Sequence, residues 1–177
     1  MCSSDPAVKL YARATSLEPS RPDLQAGLAA ALLNSNPARS LEICESLLKQ
    51  SPDDARYASL RALAMDYVCA GPRNDSVELA DRRDLRGVPT GRRGSGLSGV
   101  GAGAAMIPVS RLVEAYRRSL ELNPADAAGA LRLAVIQQLR AEELARQENA
   151  DVEKVRARAD RVVDSMVQNN SRLAAAY

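Results

Sequence analysis

Three groups of residues in this chain have types and spacing that could do chemistry. The first, Gly94-Ser95-Gly96-Leu97-Ser98-Gly99, spells G-x-G-x-x-G. That pattern lets backbone amides approach a dinucleotide pyrophosphate when it follows a strand and opens a helix. Here the preceding stretch, 82–93, is rich in arginine rather than strand-like, and Gly101 and Gly103 follow. The run therefore reads as a flexible Gly/Ser linker. The second group is Arg82, Arg83, Arg86, Arg92 and Arg93. These could meet nucleic acid or an acidic partner, but no aromatic ring stands among them to stack on a base. A solvated linker is the better reading, and nucleic acid is not expected as the partner.

The third group is nucleophiles and carboxylates. Cys2, Cys44 and Cys69 are odd in number and irregular in spacing, which argues against a disulfide framework, and the chain has no His to complete a zinc set. Without His, Ser and Cys lack an identifiable general base. Cys44 falls on an apolar stripe and reads as a buried structural thiol. Glu142-Glu143 sits in a charged helical run and reads as solvent-facing. No catalytic, metal or cofactor site is expected, so the chain is read as no enzyme.

The elements that would position any site are helices. Of 177 residues, 46% are hydrophobic, yet aromatics are 3%, with no Trp or Phe. A core of Ala, Leu and Val suits closely packed helices better than a sheet. Net charge is +2, from 24 basic and 22 acidic residues interspersed along the chain, which gives no broad field for nucleic acid or an anionic membrane. The start shows no apolar leader, and the longest apolar runs, Ala26 to Leu33 and Val100 to Val109, are far short of the ~18 residues that cross a bilayer. A cytoplasmic, reducing location and no membrane partner are expected.

Self-similarity organises the helices. Counting back from Pro19 by 5, 8 and 12 gives Ala14, Tyr11 and Ala7. The same offsets from Pro52 give Leu47, Cys44 and Ser40, and from Pro124 give Ser119, Tyr116 and Leu112. A degenerate copy is Ala159, Val163 and Met166, with Ser171 in the proline position. These offsets put three residues on one helical stripe, and proline ends the helix by pushing its predecessor out of the α region. After Pro19 a partner helix carries Leu28, Ala29 and Leu32; after Pro124 another carries Leu133 and Ala134 in the same register; after Pro52 the register blurs, with Arg61 where Leu is expected. Helix starts are marked at Asp5-Pro6, Pro22-Asp23, Asn36-Pro37, Asp53-Asp54 and Asp126, and Asn149-Ala150-Asp151 marks a turn.

This pattern resembles the tetratricopeptide repeat family, as a divergent bacterial-type member or a fragment of one, across residues 5–69 and 109–177. The resemblance implies an all-α fold, an α-α superhelix or solenoid of helix pairs, in which Ala7, Tyr11, Ala14, Pro19, Leu28, Ala29, Leu32, Cys44, Pro52, Tyr116, Ser119, Pro124, Leu133 and Ala134 do the packing. It also implies that the first helix of each pair lines a concave, protein-holding groove. The inward candidates are then Asp23, Ala26, Ala30 and Leu33; Arg56, Ser59, Leu63 and Asp66; and Ala128, Leu131, Val135 and Gln138. Family members that clamp a terminal carboxylate use Lys and Asn there. Ala26, Ala30, Leu131 and Val135 depart from that and suit an apolar helix or extended segment.

Spacing maps the units. Pro19 and Pro52 stand 33 residues apart, while Pro52 and Pro124 stand 72 apart, 38 more than one ~34-residue unit. The Gly/Arg-rich stretch 71–108 accounts for the difference. The expected organisation is helices over 1–70, a flexible insertion over 71–108 within one repeat, and helices of the same solenoid over 109–177. Pro124 to Ser171 is 47, or 13 over, and the surplus lies in Arg140 to Val155, expected as longer helices. The first unit has one helix, and Tyr177 falls where a new first helix opens, so both ends are expected to be open. The functional expectation is a scaffold or adaptor for another protein or peptide, with self-association through the ends as a further option. The alternatives are a segment that docks or spaces a domain of a longer chain, and a nucleic-acid contact through the insertion.

Overall fold

The computed structural model describes residues 6–70 and 107–174. Cys2, the glycine motif, the arginine cluster and Tyr177 lie outside the described residues, as does most of the stretch read as an insertion. The described residues form eight helices: α1 (Pro6–Leu17), α2 (Pro22–Leu32), α3 (Pro37–Gln50), α4 (Ala55–Ala70), α5 (Val109–Leu122), α6 (Ala127–Leu139), α7 (Ala141–Glu148) and α8 (Val152–Ala174). The architecture is all-α, with each helix packed on its chain neighbours in turn.

Local chemistry explains the boundaries. α1, α3 and α5 each end two residues before a proline, at Leu17, Gln50 and Leu122. Ser51 and Asn123, which precede two of those prolines, leave the helical region with φ −138° and −139°. Their N–H groups still reach back to the Leu47 and Ser119 carbonyls at 2.9 Å. At the starts, short polar side chains satisfy orphan amides. Asn36 Oδ1 accepts from Arg39 N–H at 3.1 Å, Asp126 Oδ1 from Gly129 N–H at 2.9 Å, and Asp151 Oδ1 from Glu153 N–H at 2.8 Å.

The stripes are buried where the template falls on a helix flanked on both sides. Ser40, Cys44 and Leu47 of α3 are buried, and so are Leu112, Tyr116 and Ser119 of α5. Ser40 Oγ donates to the Ala29 carbonyl at 2.7 Å, so its polarity is satisfied within the α2–α3 pair. Ala29, Ala62 and Ala134 hold the same small position on α2, α4 and α6, and all three are buried. The large position three residues on is Leu32, Met65 and Gln137; Gln137 is 1% exposed and its Oε1 has no protein partner. On α2, Gly27 serves the pairing differently. A Cβ there would come within 2.3 Å of the Tyr11 ring, so only glycine lets the ring lie on the α2 backbone.

Two features bear on the spacing. α4 packs against α5 as closely as any ordinary helix pair, although 38 residues separate Ala70 from Val109. The surplus after α6 does more than lengthen helices: part of it folds as α7, a short helix of its own. Asn149 ends α7 in the left-handed region at φ 50°, and Ala150 N–H reaches the Ala145 carbonyl at 2.9 Å. α7 buries Ala141, Leu144 and Ala145 against α5, α6 and α8, and Glu148 pairs with Arg158 of α8. The main apolar core runs through α4–α8, including Met65, Leu112, Val113, Tyr116, Leu133, Leu144 and Val155.

Candidate functional site

α4 and α6 carry the expected groove candidates, and α5 lies between them in sequence. The row Leu131, Val135 and Leu139 on α6 is spaced by four residues, so it shares one helical face. That face is open: the three are 54%, 46% and 80% exposed. Beside it lies a cleft of about 460 Å³, walled by Asp66, Cys69 and Ala70 of α4, Leu112 of α5, Leu131, Arg132, Val135, Ile136 and Leu139 of α6, and Arg140 just beyond it.

One polar link ties its walls together. Asp66 Oδ2 accepts from Arg132 Nη1 at 2.8 Å and from the Tyr116 hydroxyl at 3.4 Å, so a single carboxylate joins α4, α5 and α6. Burial pushes the Tyr116 phenol above its ordinary pKa, and the Asp66 carboxylate pushes it the same way, so Tyr116 stays a neutral donor. Cys69 Sγ contacts the Ile107 carbonyl at 3.9 Å, and burial raises its thiol pKa too. The cleft thus combines an apolar floor with charges at its edge. Such an arrangement can hold a side-chain row.

Of the inward candidates, Asp66, Leu131 and Val135 line this cleft. Ser59 turns away from an open groove. Its hydroxyl lies 2.9 Å from Ser119 Oγ and donates to Asp126 Oδ2 at 3.1 Å, fastening α4 to α5 and to the start of α6. Gln138 Nε2 reaches Asp160 Oδ1 of α8 at 3.3 Å. Arg56 pairs with Asp54 at 3.1 Å and lies over the Tyr57 ring. Asp23 pairs with Arg21. Ala26, Leu33 and Leu63 are half-buried, while Ala30 and Ala128 are exposed. Sequence reasoning did not place Arg132, Leu139, Arg140 or Cys69 in the groove. Leu139 continues the four-residue spacing of Leu131 and Val135, a signal that could have found it; the Asp66–Arg132 pair joins residues 66 apart and left none.

The packing candidates fall in three classes. Ala29, Cys44, Tyr116, Ser119, Leu133 and Ala134 are buried. Ala7, Tyr11, Ala14, Leu28 and Leu32 are half-buried, and Pro19, Pro52 and Pro124 are exposed at the turns. Among the described residues no cluster of His, Cys, Asp or Glu could hold a metal ion, and no helix is long and apolar enough to cross a membrane.

Comparison with known proteins places part of this pattern. Residues 5–64 match the tetratricopeptide repeat family. No curated protein matches the chain. The similarity to tetratricopeptide repeats thus covers residues 5–64, and the helices that follow continue the same neighbour-on-neighbour packing.

Proposed function

We propose that the protein is a non-catalytic scaffold or adaptor that holds a segment of another protein against the first helices of its pairs. Tetratricopeptide repeats generally mediate protein–protein interaction. The observation that carries the reading here is the open row Leu131, Val135 and Leu139 beside the α4–α6 cleft. Three aliphatic side chains in register on one exposed face are a preformed anchor site, and covering each adds roughly 1 kcal/mol or more to binding before ordering costs.

The test uses the full chain as bait in its native extract, beside the double variant Leu131→Asp/Val135→Asp. Both positions face solvent, so the variant keeps its circular dichroism and unfolding midpoint. A partner lost on the double variant and retained on Ala128→Asp supports the proposal. Equal recovery by the wild-type and Leu131→Asp/Val135→Asp chains refutes it.

A further inference from the structure

Among the described residues, two helices of the stack are covered from one side: α1 packs mainly on α2, and α8 packs on α6 and α7. Each keeps a long outer face toward solvent, and the two faces carry opposite charge.

The α1 face is cationic. Its sequence, PAVKLYARATSL, holds Lys9 and Arg13 and no carboxylate. These two are four residues apart, so they share a face, and both are exposed. Neither has an ion-pair partner among the described residues. Glu18 and Asp23, the acids that follow in sequence, are both taken by Arg21. Leu10 and Leu17 lie beside the cations, 68% and 75% exposed.

The outer face of α8 carries Asp160 and Asp164, again exposed and four residues apart. Neither forms an ion pair among the described residues, and Asp160 accepts only from the neutral Gln138 amide at 3.3 Å. Val167 continues the face, 53% exposed. The cations of α8 do not cancel this pair. Arg156 is matched by Glu153, and Arg158 by Glu148. With 3.6 residues per turn, Lys154 and Arg161 stand about 90° or more round the helix from the line of Asp160, Asp164 and Val167. Arg161 lines a separate hollow there with Leu120, Ala130 and Met166.

We propose that the occupant of each face is a second copy of this chain: α1 of one molecule docks on α8 of the next, with Lys9 and Arg13 against Asp160 and Asp164. The equal four-residue spacing lets both pairs form at once, and with the helices parallel it sets Leu17 beside Val167. Two different faces meet, so the contact is heterologous and builds rings or open chains. One helix against one helix is smaller than the ~1,200 Å² of a stable interface, so assembly depends on concentration. The contact is separate from the α4–α6 cleft and does not rest on the protein-holding reading.

Sedimentation of the full chain over a range of concentrations tests it. The mean mass should exceed that of one chain as concentration rises and fall back as salt is added. Lys9→Glu/Arg13→Glu and Asp160→Lys/Asp164→Lys alter exposed positions, and each alone should stay monomeric with unchanged circular dichroism. Mixed in equal amounts, the two variants should associate again, a rescue that damage to either fold would not give. Leu17→Glu should also weaken association, by roughly tenfold, through lost burial. A wild-type chain that stays monomeric throughout overturns the proposal. So does association that survives either double variant, or a silent mixture of two folded variants. Val135→Asp, in the cleft, should leave association unchanged; if it abolishes it, the contact lies there and not between α1 and α8.

Discussion

Tyr11 and Tyr116 hold the same place in the repeat, eight residues before their prolines, yet the molecule treats them differently. Tyr116 is 2% exposed and donates to Asp66 from the middle of the core, whereas Tyr11 lies half-buried on Gly27. Leu28 and Leu133 differ in the same way: one half-buried, the other 1% exposed. The template is identical and the neighbours are not. Among the described residues α1 packs mainly on α2 and buries no residue, while α5 touches α4, α6 and α7. Burial in a stack of helices is set by how many sides of each helix are covered, more than by which residues it carries. The region that matches the family, 5–64, includes the thinly covered α1–α2 pair, whereas the main core begins at α4, near its end, and runs on through α5–α8.

Matched substitutions test that contrast most strongly. Leu133→Ala empties a fully enclosed site and should cost about 2–5 kcal/mol. Leu28→Ala, at the equivalent but half-covered site, should cost roughly half of that or less. Denaturant midpoints at constant slope measure both. Equal losses would break the comparison and mean that the α1–α2 pair is packed as deeply in solution as α5–α8.

Helix caps give a smaller version of the same test. Asn36 caps α3 with one bond, to Arg39 N–H at 3.1 Å. Asp126 caps α6 through Gly129 N–H at 2.9 Å and also receives the Ser59 hydroxyl at 3.1 Å. Asn36→Ala should therefore cost ~1 kcal/mol and Asp126→Ala about 2 kcal/mol, because the second also leaves a half-buried hydroxyl without its acceptor. A coupling cycle with Ser59→Ala isolates the excess. Additive losses would show that Ser59 and Asp126 do not support one another.

These cases also show what the sequence made legible. Helix ends were readable because proline and short polar side chains act on the backbone within a few residues: Pro19, Pro52 and Pro124 stop helices, while Asn36 and Asp126 start them. The buried stripes were readable because Cys44, Tyr116 and Ser119 recur in phase. α7 was read as extra helix length, since its charged residues Glu142, Glu143 and Arg146 hide the shorter apolar set Ala141, Leu144 and Ala145 that it buries. The cleft was half readable. Asp66, Leu131 and Val135 follow from register, but the Asp66–Arg132–Tyr116 link depends on three helices meeting across 50 and 66 residues, and no local pattern encodes that. Ser59 shows the opposite failure: register places it with the groove, and a hydrogen-bonding neighbour draws it inward.

The smallest expected effect separates the two thiols. Burial raises Cys44 from 9.0 to about 11, partly offset by a hydrogen bond with Ser40, and Cys69 is raised by burial as well. Both are free thiols, Cys44 fully buried and Cys69 half-exposed at the cleft. Because the thiolate is the reacting form, both should alkylate slowly near pH 8, with Cys69 ahead of Cys44. Cys44 should react only as α3 and α4 separate, so its rate reports opening of that pair. The linkage has a definite sign. A thiol raised on folding contributes stability that is fully present below its unfolded pKa, near 9, and lost as pH climbs through about 11. Tyr116, raised by burial, adds to the loss in the same direction. A chain carrying Cys2→Ser, unfolded in denaturant at pH 8, 9.5 and 11, should therefore weaken toward alkaline pH, and Cys44→Ala should flatten part of that slope. If Cys44 alkylates at the rate of a free thiol at pH 8, the α3–α4 pair opens as readily as α1 does, and the division between a thin and a deep region must be drawn further along the chain.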